Sequence, residues 1–234
     1  MKIELKDLSH HYDIPVLHQL NLIVQQYKSI AIIGVSGSGK STLLRILSGL
    51  EAATSGTAQV NGHDVAAPAY RASVGFVFQN HNLFPHLSLL RNITLVLEKT
   101  RGYTRQQAHE RATRYLDLLH LGNQAHKLPR NVSGGQAQRA SIARALSIEP
   151  EVIFLDEPTS SLDPVLTYEV LAAIKELREL GMEFVLVSHV MSFVHDFADY
   201  VIYMEDGSIA EHGPPTILDA PATRALQDFM AKVP

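Results

Sequence analysis

Residues 29–50 read "SIAIIGVSGSGKSTLLRILSGL", and three kinds of local structure follow one another within them. Ser29 to Gly34 is a short apolar run of the kind a buried parallel strand carries. Gly34 to Ser41 matches G-x-x-x-x-G-K-[ST] without deviation. The segment from Ser41 onward continues as a helix, with Gly49 near its end. Glycines in such a loop let backbone N–H groups converge on phosphate oxygens, and the start of the helix adds positive potential. Gly34, Ser36, Gly37, Ser38 and Gly39 are the expected cradle, with Thr42 just inside the helix. Lys40 is placed to reach the β- and γ-phosphates, and Ser41 to ligate Mg²⁺. Nucleotide binding is the expectation.

The flanking segments supply the rest of the architecture. "KIELKDLSHHY" and "VLHQLNLIV" alternate as strands, and "GTAQVNGHDV" reads as a hairpin turning at Asn61-Gly62. "VGFVFQ" is a further strand ending at Gln79. From there to about Leu146 the pattern becomes helical. Thr104 and Gln107 form a capping box, Ala108, Ala112, Tyr115, Leu116 and Leu119 share one face, and Gly122 is the expected stop. After Pro150 the strand–helix rhythm returns with "VIFLD", a helix opened by Asp163-Pro164 and closed by Gly181, "FVLVSH" and "YVIYM". The expected fold is α/β: a P-loop NTPase core with an N-terminal antiparallel β subdomain and an inserted helical subdomain. In one domain of 1–234, residues 1–79 and 147–234 form the core with its β subdomain, and residues 80–146 the helical part.

Composition narrows the function classes. A net charge of −4 gives no basic face for nucleic acid. The absence of cysteine excludes disulfides and thiolate metal sites. The charged, alternating N-terminus is unlike a signal peptide, and no apolar run reaches the roughly 18 residues a membrane span needs. Any membrane role must come through a partner.

Two further stretches carry chemistry. "VIFLDEP" ends a buried strand on Asp156, suited to holding Mg²⁺, with Glu157 beside it to orient or deprotonate an attacking water. "NVSGGQAQRA" opens a helix with Ser133, Gly134, Gly135 and Gln136, a second phosphate-type device in a chain that already has one.

The ordered set resembles the nucleotide-binding subunit of ABC transporters along almost the whole chain. It comprises Tyr12, the glycine-rich loop, Gln79, the signature Ser133 to Gln136, the Asp156-Glu157 pair, "SSLD" ending at Asp163, and His189. The resemblance implies ATP with Mg²⁺, and a head-to-tail pair of copies in which each signature caps the ATP held by the other's loop. It implies that Glu157, His189 and Gln79 are catalytic, with Gln79 also touching Mg²⁺ beside Ser41 and Asp156. Tyr12 would stack on adenine, unless the adjacent His11 does so or Tyr12 packs in the core. Asp163 would bridge the copies, cap its own helix, or do both. His10, His11, His81 and His86 read as surface residues.

"LFPHLSLLRNIT" and "SHVMSFVHDFADYVIYMEDGSIAEHGPP" look like the polar amino-acid uptake branch of that family. Val190 stands where that branch usually has Glu, and "QQYKS" replaces a more usual Gly-Glu approach to the strand. The implied protein is an ATPase on the cytoplasmic face of the cell membrane. It would dock on transmembrane permease subunits and serve, indirectly, a solute-binding protein. Leu83, Phe84, Leu87 and Leu90 either receive a short permease helix or form core. The alternative is an ABC ATPase driving a non-import membrane complex in cell division or lipid handling. A chromosome-organising ATPase would need a long coiled coil between loop and signature, and no sustained heptads lie there.

Overall fold

The computed structural model describes residues 1–233, and its elements follow the expected order. β1 (Lys2–His11), β2 (Pro15–Gln25) and β3 (Ser29–Gly34) precede α1 (Lys40–Leu47). β4 (Ser55–Val60), β5 (His63–Asp64), α2 (Pro68–Ser73) and β6 (Val74–Val77) come next. Three long helices follow: α3 (Leu89–Thr100), α4 (Arg105–Leu118) and α5 (Gly134–Ser147). The chain closes with β7 (Val152–Asp156), α6 (Pro164–Glu179), β8 (Glu183–Val187), α7 (Met191–Phe197), β9 (Tyr200–Glu205), β10 (Ser208–Gly213) and α8 (Arg224–Met230).

Two sheets result. One is antiparallel, ordered β2-β1-β4-β5; the other is ordered β10-β9-β3-β8-β7-β6 and is parallel except at β10. The period of two in the apolar strands explains how the layers stack. Ala31, Ile33, Ile153, Leu155, Phe184 and Leu186 face the cluster that includes α3 to α7. Their neighbours Ile30, Ile32, Val152, Phe154, Val185 and Val187 face α1 and the antiparallel sheet. Both faces are covered, which is why these strands read as unbroken apolar runs rather than as alternation. The antiparallel strands do alternate, but Asp7 and Gln19, at φ of 49° and 45°, bulge the ladder and shift its register.

Helix ends test the local reading. Gly49 and Gly181 close α1 and α6 as expected, at φ of 71° and 93°. Gly122 does not close α4. The left-handed position falls on His120 (φ 58°), whose amide bonds the Asp117 carbonyl at 3.0 Å while Leu121 bonds Leu116 at 2.7 Å. That hydrogen-bond pair satisfies the end of the helix without glycine, and Leu121 is driven into the core. α5 begins at Gly134 because Ser133 is its N-cap. α2 and α8 were not anticipated from the sequence.

Asp199 ties the start of β3 to α6. Its carboxylate accepts from the Lys28 and Ser29 amides at 2.9 and 3.0 Å, and pairs with Arg178 at 2.5 Å. Burial works to raise its pKa, but the Lys28 and Ser29 hydrogen bonds and the Arg178 guanidinium hold it below the usual range. Asp199→Ala is expected to cost about 1–3 kcal/mol, read as a lower denaturant midpoint at unchanged slope. The folded value is depressed, so this stabilisation is present above the ordinary carboxylate range and lost as pH falls through the folded value. The gap between wild type and variant should therefore close in acid; a gap that persisted there would assign the loss to packing.

Candidate nucleotide site

The parallel neighbours β3, β8, β7 and β6 run in one direction, so their carboxyl ends share one edge of the sheet. Ligand sites of open α/β sheets form at such edges. β3 delivers Gly34 and the glycine-rich loop, β8 leads to His189, β7 ends on Asp156, and β6 leads to Gln79. Four separated motifs thereby become spatial neighbours along one line.

Within the loop, two glycines are dictated by sterics. A Cβ on Gly34 would lie 2.1 Å from the Met204 carbonyl oxygen, and one on Gly39 (φ 94°) would lie 2.7 Å from Leu17. Lys40 is only 4% exposed, and its Nζ donates to the Val35 carbonyl of the loop at 2.6 Å. Burial pushes its pKa down, with Glu157 and Asp156 opposing. Ser36 lies at the exposed rim, whereas the Ser38 hydroxyl is buried with no hydrogen-bond partner among the described residues. A buried orphan hydroxyl in a glycine cradle fits a ligand oxygen.

Ser41 Oγ donates to Asp156 Oδ1 at 2.7 Å, and Arg45 Nη2 lies 3.5 Å from Oδ2. Burial raises the Asp156 pKa, opposed by the Ser41 hydrogen bond and the Arg45 charge. These are hard oxygen donors. A hydroxyl beside a carboxylate suits Mg²⁺, which takes one or two protein oxygens and fills its remaining positions with water and phosphate.

Glu157 leaves the strand at φ 46°, an uncommon conformation for a residue with a side chain. Its amide is held by the Val187 carbonyl at 3.1 Å, and its own carbonyl accepts from Ser160 Oγ at 3.2 Å. The turn separates the two acidic side chains: Asp156 faces Ser41, while Glu157 Oε1 lies 2.7 Å from His189 Nε2. The His189 hydrogen bond lowers the Glu157 pKa, with burial working against it. A carboxylate kept ionised beside an imidazole can accept a proton from water.

Gln79 is exposed just beyond β6, with no side-chain hydrogen bond among the described residues. Tyr12 is 50% exposed, so it is not core. Burial raises its pKa, with the Glu51 carboxylate adding to the rise and Thr42 opposing it. His11 is exposed, with its amide bonded to Thr54 Oγ1. His10 is not a surface residue: it is 7% exposed, edge-on to Tyr12 at 4.6 Å, with Nε2 3.0 Å from Glu51 Oε1 but off the hydrogen-bond direction. Its place on the inward phase of β1, facing the sheet interior, buries it. His81 is likewise half-buried against Gln138.

Ser133 caps α5 in a reciprocal box: its Oγ accepts from the Gln136 amide at 3.2 Å, and Gln136 Oε1 accepts from the Ser133 amide at 3.1 Å. A Cβ on Gly134 would meet Leu162 at 2.9 Å, and one on Gly135 would meet Leu166 at 3.2 Å. The glycines thus let α5 lie close on the start of α6. Asp163 caps α6, with Oδ1 accepting from the Val165 and Leu166 amides at 2.9 and 3.0 Å. Among the described residues, no hydrogen bond or ion pair joins residues 34–42 to residues 131–138. The two phosphate-type devices of one chain do not meet. Sequence reasoning missed Arg45 and Glu51; Arg45 was findable, four residues after Ser41 and so on the same helix face.

Residues 17–160 match the ABC transporter family. The glutamine transport ATP-binding protein GlnQ of Escherichia coli (strain K12) is 42% identical, covering 99% of each chain. The glutamate transport ATP-binding protein GluA of Corynebacterium efficiens is 42% identical over 94% of each. Among solved structures, the dimeric ATP-binding cassette MJ0796 bound to ADP and Pi gives a TM-score of 0.81 at 31% identity, covering 91% of this chain and 98% of that one. Similarity running along nearly the whole chain, on a shared fold, leads to one conclusion: the chain belongs to the ABC transporter family, as one of its ATP-binding cassettes.

Proposed function

We propose that two copies of this chain bind ATP between them, head to tail, and hydrolyse it to power uptake of a polar amino acid. The observation that carries the reading is the convergence of Lys40, Ser41, Asp156, Glu157 and His189 on one sheet edge while Ser133 stays apart. Lys40 and the loop amides hold the phosphates. Ser41 and Asp156 would hold Mg²⁺, with Gln79 as a further oxygen donor; the ion, when bound, neutralises phosphate charge. Glu157 takes the proton of the water that attacks the γ-phosphorus, as the bond to the departing ADP oxygen breaks. His189 orients that carboxylate and steadies the charge on the transferred group. The work of the protein is positioning and charge stabilisation.

The second copy completes each site. The Ser133 hydroxyl accepts from the Gln136 amide, which leaves its own proton to donate to a γ-phosphate oxygen held by the other chain. The start of α5 adds positive potential there. Gly134, Gly135 and Gln136 belong to this cap chiefly by shaping it. Asp163 uses only Oδ1 in capping α6, leaving Oδ2 to bridge the copies. Tyr12, half exposed and edge-on to buried His10, is the adenine platform in preference to His11.

No helix among the described residues is long and apolar enough to cross a membrane. The reading places the protein at the cytoplasmic face, peripheral through permease subunits and served by a solute-binding protein. Leu90 is core and Leu83 packs on it, whereas Phe84 stays 40% exposed and Leu87 half-exposed, so those two would meet the permease. Polar amino acids follow from the full-length similarity to glutamine and glutamate relatives. The test is to purify the membrane complex, take its solute-binding partner and follow its thermal unfolding with candidate solutes. Stabilisation by glutamine, glutamate or arginine is expected; stabilisation by a sugar or metal ion alone would remove the solute assignment.

A further inference from the structure

β1 buries four side chains on its inward phase, and three of them, Ile3, Leu5 and Leu8, are aliphatic. The fourth is His10, whose two ring nitrogens have no hydrogen-bond partner among the described residues. A polar ring buried without aligned partners costs stability that an aliphatic side chain would not. Filling the core therefore does not account for an imidazole at this position. Its neighbours do. The His10 ring stands edge-on to Tyr12, with centroids 4.6 Å apart and planes at 80°, the T-shaped geometry that aromatic pairs favour. Its Nε2 lies 3.0 Å from Glu51 Oε1. The Glu51 carboxylate also adds to the rise that burial gives the Tyr12 pKa, so one charge acts on both rings.

Glu51 is itself tied to the phosphate side of the site. It follows α1, and the Leu50 and Glu51 amides both donate back to the Arg45 carbonyl, at 3.0 and 3.2 Å. Thr54 then stitches the same loop to β1. Its amide donates to the Ser9 carbonyl at 2.9 Å, and its Oγ1 accepts from the His11 amide at 3.1 Å. The loop that ends α1 thus clasps β1 on both sides of His10, and Tyr12 lies just beyond the end of that strand, half exposed. We propose that His10, backed by Glu51, is a positioning residue for the Tyr12 ring, holding it at a fixed place relative to the phosphate loop at the head of α1. Being buried, His10 acts through Tyr12 rather than on the nucleotide. It removes in advance the freedom that Tyr12 would lose on stacking, which improves affinity for the base and leaves the chemistry alone. The inference rests on the reading of Tyr12 as the adenine platform.

His10→Leu keeps the apolar phase of β1, so a residue that merely fills space would be replaced there without loss. The expected result is a KM for ATP raised about two- to tenfold, the worth of an edge-on ring pair, at unchanged kcat. Inorganic tripolyphosphate, which has no base to stack, should inhibit the variant as well as it inhibits the wild type. With fluorotyrosine in place of tyrosine, the fluorine NMR line absent from Tyr12→Phe identifies Tyr12. That line should shift toward the position of a free, exposed ring in His10→Leu. His10→Phe, which restores a ring, should return both the line and KM toward wild type. Glu51→Gln provides a second route should His10→Phe pack poorly: removing the charge beside Nε2 should move the Tyr12 line in the same direction. A Tyr12 line unmoved in His10→Leu, or tripolyphosphate weakened as much as ATP, overturns the proposal. Tyr12→Ala separates the two layers. An unchanged KM there removes the adenine reading, while the fluorine line still decides whether His10 holds the ring. A KM raised by Tyr12→Ala and untouched by His10→Leu leaves the adenine reading standing and removes His10 from it.

Discussion

Glu157→Gln is expected to lower ATP turnover by about 10²–10⁴-fold, the usual contribution of a positioned base, while ATP affinity is kept or improved. The substitution is nearly isosteric, and the amide oxygen can still accept from His189 Nε2, now 2.7 Å from the carboxylate. The fold around the site should not move. What changes is charge. Glu157 supports the cationic form of buried Lys40 and raises the pKa of Asp156. Removing its charge therefore leaves Asp156 more readily ionised and lowers the repulsion felt by a polyanionic nucleotide. Binding that outlasts chemistry should trap the closed dimer, so size-exclusion chromatography with ATP should show a species of twice the monomer mass that ADP does not produce. Turnover close to wild type would remove Glu157 from the proton-accepting role. Loss of ATP binding together with turnover would assign it to the nucleotide cradle instead.

The parts of the molecule legible in sequence are those where one local rule has a single outcome. An apolar run, a glycine-rich loop and a helix must follow one another from Ser29 to Leu47, and the twofold alternation of β3 onto two clusters then fixes both layers. Thr104 with Gln107 was readable because a capping box is complete within four residues. Misreadings occur where neighbours distant in sequence determine the outcome. His120 ends α4 in a conformation that its residue type does not announce, because Leu121 has a core to enter. His10 is buried because it lies on the inward phase of β1, with the Glu51 carboxylate 3.0 Å from its Nε2. Between docking and core the sequence left Leu90 open, and it is core, since only the packing of α3 tells which apolar residues stay outside. The site itself was legible as a list of residues but not as a network. That Ser41 meets Asp156 and Glu157 meets His189 depends on strand order, which no single motif carries.

A mixture of two inactive chains is expected to recover activity, and the argument follows from the separation of the two devices. Lys40→Ala removes the ammonium from the loop, and Ser133→Arg replaces the hydroxyl that caps α5 with a long cation. In a homodimer of either variant both composite sites carry the same defect, so each should be silent. In a mixed head-to-tail dimer, the Lys40→Ala loop meets the Ser133→Arg signature, which places both lesions on one site. The other site combines an intact loop with an intact signature. With random pairing in a twofold dimer about half of the assemblies are mixed, so the mixture should hydrolyse at about a quarter of the wild-type rate if sites act singly. The folded chain tolerates both changes on different grounds: Lys40 bonds only the Val35 carbonyl of its own loop, and Ser133 is exposed at a helix start where losing a cap costs about 1 kcal/mol. Mixed dimers isolated on two affinity tags, bound to ATP yet no faster than either parent, would count against shared sites that act independently.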